Sequence, residues 1–404
     1  MKSIRLALTL LALALFNLAS NHASATLLDG PPSAIQDTTG IPIIENRRPP
    51  PDSRLPWRIS AEPSLSIGSV AGGGPDQFHW VMDATRLPDG RIVIANAGSS
   101  ELRVFYPDGS HAGTWGGRGE GPGEFASDAP TVVARWPGDS IAAPNRWAGR
   151  LSIFDKDGNH GRDVHLEAGI SNVVDLLADG RIVTGGIAGM HGGMTGSTGL
   201  VRPDVEWKVL GPDGKLDASF GEYPGTEWWA VFARGGQIES SQVHPFGRNT
   251  VGAVWGDLVA IGDQAVYEIK AFATDGRLVR IVRRDGDPGS PTRAEQDSYW
   301  ERRYADLPDD RRANALREVR HMPLVDSYRA FSRILSDRLG HLWVRERRSS
   351  IWTVFDQEGR VQGLVEMPSG LGVFEIGEDY ILGRARDELG VEYVQLWGLD
   401  RGAG

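Results

Sequence analysis

The stretch Leu87–Phe125, LPDGRIVIANAGSSELRVFYPDGSHAGTWGGRGEGPGEF, contains three short apolar runs separated by glycine-containing turns. Two of these turns are Asp89-Gly90 and Asp108-Gly109. An Asp-Gly pair between β-rich runs is typical of a hairpin, because glycine readily adopts the positive φ that tight primed turns need. The stretch therefore predicts antiparallel strands joined by tight turns.

Weaker copies of this unit recur along the chain. The paired turn glycines are Gly90/Gly109, Gly138/Gly158, Gly180/Gly214, Gly256/Gly276 and Gly340/Gly359, and a sixth, incomplete copy begins at Gly377. In four of the five complete copies the two glycines lie 19 or 20 residues apart. Four antiparallel strands per unit, repeated six times, predict an all-β chain folded as a six-bladed β-propeller.

The segment Trp57–Gly68 reads as one strand, or as two around Pro63, but it has no Asp-Gly partner of its own. The sixth unit lacks an outermost strand. We therefore expect the segment to close the ring against the last blade, since closure removes exposed sheet edges. The predicted propeller spans residues 57–404.

The N-terminal residues are typical of an export signal. Lys2 and Arg5 precede the apolar run Leu6–Leu18, and Ala23-Ser24-Ala25 is a small-residue cleavage site. Residues 1–25 are therefore predicted to be a signal peptide cleaved near Ala25, which places the mature chain in the periplasm or outside the cell. Residues 26–56 are rich in proline and are predicted to form a disordered spacer.

Composition excludes several classes of protein. The formal net charge is −10, which argues against a nucleic-acid partner. The chain contains no cysteine, so disulfides and thiolate metal sites are excluded. No stretch after the signal is long and apolar enough to cross a bilayer, so membrane insertion is not expected. We expect a monomer.

Three insertions lengthen the connections at 186–203, 222–248 and 285–330. Successive connections of a blade alternate between the two faces of a propeller, which assigns all three insertions to the same face. Thr292 and Glu295 have capping-box spacing and predict a helix, and Arg311–Arg320 predicts a second helix opened by Asp309 or Asp310. This is a helical insertion between blades 4 and 5. Elaborated loops on a rigid frame favour binding on this face.

The loop Trp115–Phe125, followed by Pro130, resembles the blade-to-blade loop of NHL-repeat propellers. Asn96-Ala97-Gly98 before Leu102–Phe105 is similar to the middle connection of that family, although an acidic residue is commoner at the Asn96 position. The chain as a whole is similar to exported bacterial six-bladed propellers of NHL type, many of which have no assigned activity. The resemblance implies the fold more strongly than any function.

Some NHL-type propellers are metal-dependent lyases, and this resemblance draws attention to histidines. The candidates near the elaborated face are His79, His191, His244 and His321. Neutral imidazoles converging on the channel would bind Zn²⁺ or a similar ion. The alternative is that these are separate loop histidines bonded to backbone or water.

Lactonase-type propellers hold Ca²⁺ or a similar ion on the axis with oxygen ligands. Candidates here are Asn96, Asn145, Glu227, Asp263 and Glu346. Asn is also common where a strand turns into a loop, so a structural role is the alternative. A divalent metal ion is the only cofactor that either set of candidates predicts.

Basic and aromatic side chains on the same face suggest an anionic or stacking ligand. Arg146, Arg345 and Arg384 fall in the middle connections of blades two, five and six, where surface ion pairs are the alternative. Trp147 and Trp228 are candidates for stacking on a sugar or peptide, and Trp228 could instead pin an insertion to the frame.

The sequence contains no catalytic motif. The prediction is an exported binding module that recognises a peptide, a glycan or a small anionic ligand on its insertion-bearing face. The alternatives are a metal-dependent lyase or lactonase-type enzyme at the central channel, and a structural scaffold for protein–protein interaction.

Overall fold

The structure is a computed structural model that describes residues 34–36, 40–70, 73–127, 129–145, 148–167, 172–185, 196–347 and 349–402. The predicted signal peptide lies outside the described residues, as do Arg146, Trp147, His191 and most of the first insertion. Among the described residues, no helix is long and apolar enough to cross a membrane.

Four short strands precede the repeated units. They are β1 (Ala34–Gln36), β2 (Pro42–Asn46), β3 (Arg58–Ile59) and β4 (Leu65–Ile67). The first two repeated units then form two four-stranded antiparallel sheets. Sheet 1 contains β5 (Val81–Arg86), β6 (Ile92–Asn96), β7 (Glu101–Phe105) and β8 (His111–Gly116). Sheet 2 contains β9 (Ala134–Trp136), β10 (Ser140–Asn145), β11 (Arg150–Phe154) and β12 (His160–His165).

The third and fourth units each carry additional strands. Sheet 3 contains β13 (Val173–Leu176), β14 (Ile182–Thr184), β16 (Asp204–Leu210) and β17 (Leu216–Pro224), with β15 (Gly199–Val201) outside it. The strands β18 (Trp228–Phe232) and β19 (Ile238–Val243) pair with β15 in a separate three-stranded sheet. Sheet 4 contains β20 (Thr250–Trp255), β21 (Leu258–Asp263), β22 (Glu268–Ala273) and β23 (Leu278–Arg284).

Two helices, α1 (Arg293–Arg303) and α2 (Asp309–Val319), follow sheet 4. Sheet 5 contains β24 (Arg333–Ser336), β25 (Leu342–Arg345), β26 (Ile351–Phe355) and β27 (Val361–Glu366). Sheet 6 contains β28 (Gly372–Ile376), β29 (Tyr380–Arg386) and β30 (Glu392–Asp400), and it is completed by β3 and β4.

The first strands of sheets 1 to 6 contact one another in a closed cycle. In order they are β5, β9, β13, β20, β24 and β28, and β28 contacts β5 again. Sheets that meet through their first strands and close on themselves surround a common channel. The chain is therefore a β-propeller.

Burial along one sheet explains the apolar runs of the sequence. Every residue of β6 is buried, whereas β8 is mostly exposed. A second strand lies between two neighbouring sheets and is covered on both faces, but an outermost strand borders solvent. Trp115 nevertheless packs with Phe125 and Phe154, which joins sheet 1 to sheet 2. The predicted Asp-Gly turns are confirmed, with φ of 88° at Gly90 and 84° at Gly109.

The predicted closing strand is confirmed. β4 pairs antiparallel with Val394–Leu396 of β30, and β3 pairs with Leu399 and Asp400 of the same strand. The first strands of the chain thus complete the last sheet.

The expected disordered spacer is wrong in its second half. Pro42–Asn46 is a strand that pairs parallel with β23, and Leu55 and Ser53 then exchange backbone hydrogen bonds with Leu364 of sheet 5. The proline-rich composition hid this because the segment has few apolar residues at regular spacing, yet Ile43 and Ile44 are both buried against sheet 4. The segment 42–67 therefore crosses sheets 4, 5 and 6, and we call it the N-terminal belt.

The insertions form one unit with its own core. Trp229 of β18 packs against Trp300 of α1 and against Val319 and Met322 at the end of α2. We call β15, β18, β19, α1 and α2 the insertion cap. The predicted capping box at Thr292 and Glu295 is confirmed. The second helix is also present, but Pro308 is its N-cap, with no side-chain cap, and Asp309 and Asp310 lie in its first turn.

Candidate functional site

The central channel is a cavity of about 590 Å³. Its wall is built from the first strands of all six sheets. Because a first strand alternates between channel and core, every second side chain points toward the axis. The chemistry of the channel is therefore set by one short stretch from each sheet.

Three acidic side chains on this wall tie neighbouring sheets together. The Asp83 carboxylate accepts hydrogen bonds from the backbone N–H groups of Ala84 (2.9 Å) and Val133 (3.0 Å), and Val133 leads into sheet 2. Asp175 accepts in the same way from Leu176 (2.8 Å) and from Val254 of sheet 4 (2.9 Å).

Glu375 plays the corresponding part between sheets 6 and 1. It accepts from the Thr85 hydroxyl at 2.6 Å, and it also pairs with Arg338 at 2.6 Å. Each of Asp83, Asp175 and Glu375 follows a β-bulge in its strand. A bulge re-aims a side chain, which lets these acids reach the adjoining sheet.

Burial changes the protonation of the two aspartates. Enclosure within the channel wall raises the pKa of Asp83 to about 7, although Arg333 opposes the rise. Burial also raises the pKa of Asp175. In both cases a carboxylate loses hydration that its backbone hydrogen bonds replace only in part.

Arg333 of β24 is one of three arginines that line the channel, together with Arg135 and Arg338. The Arg333 guanidinium makes no hydrogen bond or ion pair with any residue in the described part of the chain, and burial lowers its pKa. Two further arginines, Arg345 and Arg384, are close enough to lower that pKa further by charge repulsion. We call Arg333, Arg345 and Arg384 the channel mouth.

The three arginines of the channel mouth differ in how fully they are paired. Arg345 lies directly across the strand pair from Arg333, and its Nε donates to the carbonyl oxygen of Ser349 at 2.9 Å. Arg384 donates to the Val81 carbonyl at 2.6 Å and pairs with Glu392 at 3.2 Å. Glu392 is the one carboxylate in direct contact with these three guanidinium groups among the described residues, while Asp83 and Asp175 act on Arg333 at longer range.

Trp80 stands beside the mouth, at the start of β5. Its φ is 59°, and half of the residue is exposed. A left-handed conformation is rare for a bulky side chain and costs on the order of 1–3 kcal/mol. It persists because the flanking backbone is held by Asn96 on one side and by Glu392 on the other.

The structure brings together two of the predicted site residues, Arg345 and Arg384. Arg333, Asp83, Asp175 and Trp80 were missed by the sequence analysis. The available signal was a charged residue inside a predicted first strand, as in Val81-Met82-Asp83 and Val173-Val174-Asp175. A strand that lines a channel tolerates such a residue because only one of its faces is packed.

Asn96 and Asn145 are fully buried, and the side-chain amide of each forms hydrogen bonds with residues of nearby loops. Asn96 accepts from the His79 N–H at 2.9 Å and donates to the Ser99 hydroxyl. Asn145 accepts from the Ala126 N–H at 3.3 Å and donates to the Glu124 carbonyl. Each thereby fixes the loop that enters its own sheet, which leaves little capacity for a ligand.

The three candidate histidines that the structure describes form no metal-binding group. His79 is exposed and stacks on Trp80. His244 is buried in the insertion cap, where it bonds to the Pro323 carbonyl at 3.0 Å and burial lowers its pKa. His321 is exposed after α2.

The candidate acidic ligands are also separated, and each pairs with an arginine. Glu227 binds Arg248 at 2.9 Å, Asp263 binds Arg202 at 2.8 Å, and Glu346 binds Arg284 at 2.5 Å. Within the described residues, no group of three or more histidine and acidic side chains is placed to hold a metal ion. The divalent-metal site stays a prediction.

Trp228 belongs to the insertion cap, away from the channel mouth. It lies on β18 between Val201 and Val243 and is partly buried, while its neighbour Trp229 packs on the helices. Its location fits the alternative in which it pins the insertion. Arg146 and Trp147 lie outside the described residues.

Known proteins offer only distant comparisons. The chain matches no protein-family model and no protein with curated annotation. Among solved structures, an exported protein from Bacteroides fragilis is 13% identical with a TM-score of 0.46, over 89% of this chain and 100% of that chain. Virginiamycin B lyase from Staphylococcus aureus is 10% identical with a TM-score of 0.37, over 84% and 99%. A gluconolactonase from Xanthomonas campestris is 13% identical with a TM-score of 0.38, over 80% and 87%.

Proposed function

We propose that this chain is an exported, monomeric six-bladed β-propeller of NHL type that binds a small organic anion at its channel mouth. Sheets 1 to 6 are the six blades, and α1 and α2 lie between blades 4 and 5. The observation that carries the binding proposal is Arg333, a guanidinium enclosed in the channel without a partner among the described residues.

A bound anion at the channel mouth would offset the charge repulsion among its arginines. Arg345 and Arg384 each repel Arg333, and Glu392 pairs with only one of the three arginines. A carboxylate accepts two parallel hydrogen bonds from one guanidinium, which makes arginine well suited to this ligand. The exposed indole of Trp80 offers an apolar surface to the rest of the molecule.

The test is titration calorimetry with a panel of acetate, succinate, citrate and phosphate. We expect at least one of these anions to bind the wild-type protein. Arg333→Gln and Arg345→Gln should each weaken that binding at least tenfold, because a charged hydrogen bond contributes about 1.5–3 kcal/mol. The matched control is Arg277→Gln, which removes an exposed arginine from a tight turn on the opposite face.

The affinity should also rise between pH 8 and pH 6. Protonation of Asp83 removes a negative charge that faces Arg333 and Asp175, so the anion then meets less repulsion. Binding that is equally strong in wild type and Arg333→Gln would contradict the proposal.

A further inference from the structure

A second pocket, of about 400 Å³, lies between sheets 4 and 5 on the insertion-bearing side. Its walls come from Tyr267 and Arg284 of sheet 4, from the segment after β23, and from four residues of sheet 5, Glu346, Arg347, Ser349 and Ile351. Arg48, Pro49 and Pro51 of the N-terminal belt complete the lining. A volume of this size is within the range of about 300–1,000 Å³ that is usual for small-ligand sites.

The belt is anchored on both sides of this pocket. Before the pocket, β2 pairs with β23, and the Arg48 N–H donates to the Asp285 carboxylate. After the pocket, Leu55 donates to the Leu364 carbonyl at 2.9 Å. Residues 47–52 therefore bridge the two sheets across the pocket.

The lining carries an excess of positive charge in an acidic protein. Four arginines, Arg48, Arg284, Arg329 and Arg347, stand against two carboxylates, Asp287 and Glu346. Arg284 and Glu346 neutralise each other in a bidentate ion pair of 2.5 and 3.2 Å. The remaining lining is net positive and attracts anions.

Two of these arginines are not held in an ion pair. Within the described part of the chain, neither Arg48 nor Arg347 has a carboxylate at ion-pair distance. The Arg347 guanidinium lies 3.5 Å from the centre of the Tyr328 ring, which orients it, and Glu295 interacts with it electrostatically from beyond ion-pair distance. Deeper in the pocket, Arg284 is 8% exposed and its Nε has no hydrogen-bond partner.

Apolar side chains form the rest of the pocket. They are Pro49, Pro51, Ala330, Ile351 and Leu364. A site with cations on one side and aliphatic carbon on the other matches a molecule that has an anionic group and an apolar body. An inorganic anion would leave the apolar wall uncovered.

We propose that this pocket binds a small amphipathic organic anion, with its charged group at Arg48 and Arg347 and its apolar part against the prolines, Ile351 and Leu364. The bound molecule contacts the N-terminal belt, sheet 4 and sheet 5 at the same time. The site is separate from the channel mouth and does not depend on a ligand binding there.

The probe is 8-anilinonaphthalene-1-sulfonate, an amphipathic anion whose fluorescence rises in an apolar site. We expect saturable binding of one molecule per folded chain. Arg347→Gln and Arg48→Gln should each weaken that binding five- to tenfold, and Arg277→Gln should leave it unchanged. Circular dichroism and thermal melting of each variant establish that the fold is retained.

Hydrogen exchange locates the probe. Bound probe should slow amide exchange at residues 47, 48 and 52–55 and at 284–289. Unchanged affinity in the double variant Arg48→Gln/Arg347→Gln would overturn the proposal. Protection confined to another part of the chain would overturn it as well.

Discussion

At the scale of single residues, the channel wall brings acidic side chains from different sheets close to one arginine. Asp83 and Asp175 bridge neighbouring sheets through backbone N–H groups, and Arg333 lies near both without a direct bond. A buried carboxylate is tolerated when hydrogen bonds replace most of its hydration. The hydration that is not replaced raises the pKa values of Asp83 and Asp175.

Asp83→Asn should change how stability depends on pH. The ordinary pKa of an aspartate is 3.8, and the pKa of Asp83 in the folded chain is about 7. Between these pH values the carboxyl group is therefore protonated in the native state and ionised in the unfolded state. The contribution of Asp83 to the free energy of unfolding of the wild-type protein therefore falls as the pH rises toward 7. Relative to wild type, the free energy of unfolding of Asp83→Asn should be about 2 kcal/mol higher at pH 8 than at pH 5.5, because wild type alone loses this stabilisation.

Urea denaturation at the two pH values measures this difference. Because the comparison is between pH values, the constant loss of a hydrogen bond in the variant cancels. Asp89→Asn, on an exposed turn, is the matched control and should show no such change. An equal effect of Asp83→Asn at both pH values would show that Asp83 ionises normally in the folded chain.

At the scale of elements, one side chain links the N-terminal belt to two neighbouring sheets. Asn46 is 6% exposed and donates to the carbonyls of Arg283 and Gly359, both at 3.0 Å. Its carbonyl oxygen accepts from the Val361 N–H at 2.9 Å. One amide thus connects the belt to sheets 4 and 5.

Asn46→Ala should lower the free energy of unfolding by about 2–4 kcal/mol. The change leaves backbone groups of two sheets without partners, and each buried unsatisfied group costs about 1–3 kcal/mol. Urea denaturation followed by far-ultraviolet circular dichroism measures the loss. Arg47→Ala, at the exposed neighbouring position, should change stability by less than about 0.5 kcal/mol. Equal stability of the two variants would mean that the belt contributes nothing to the fold.

At the scale of the whole molecule, stability depends on joining the two ends of the chain. β4 supplies Ile67, 3% exposed, to a core cluster that also contains Val81 and Ile92 of sheet 1 and Leu382 and Val394 of sheet 6. This cluster seals the junction at which the ring closes. A propeller without that seal would expose the edges of two sheets.

Ile67→Ala should lower the free energy of unfolding by about 2–4 kcal/mol, because a cavity opens in a packed junction. Ser66→Ala, on the exposed side of the same strand, should have an effect below about 0.5 kcal/mol. Thermal and urea unfolding of both variants provide the comparison. If Ile67→Ala proved as mild as Ser66→Ala, closure by the N-terminal strand would not be a major source of stability.

The sequence by itself determined the repeated unit, its turns and the closing strand. The unit and its turns are local: Gly90 and Gly109 have the positive φ that their Asp-Gly pairs require, and the alternation of apolar residues follows the pleat of each strand. The closing strand pairs with a distant part of the chain, and it was predictable because the sixth unit lacks an outermost strand. The capping box of α1 was equally readable, since its two partners lie three residues apart.

Only the tertiary structure decided which side chains meet. Arg333, Arg345 and Arg384 come from different strands and converge because six sheets close around one axis. Asn96 and Asn145 looked like ligands by type, but neighbouring loops consume their amides. The sequence gives the type of each side chain and predicts its local geometry. Pairing, burial and charge at a site depend instead on segments that can be hundreds of residues apart.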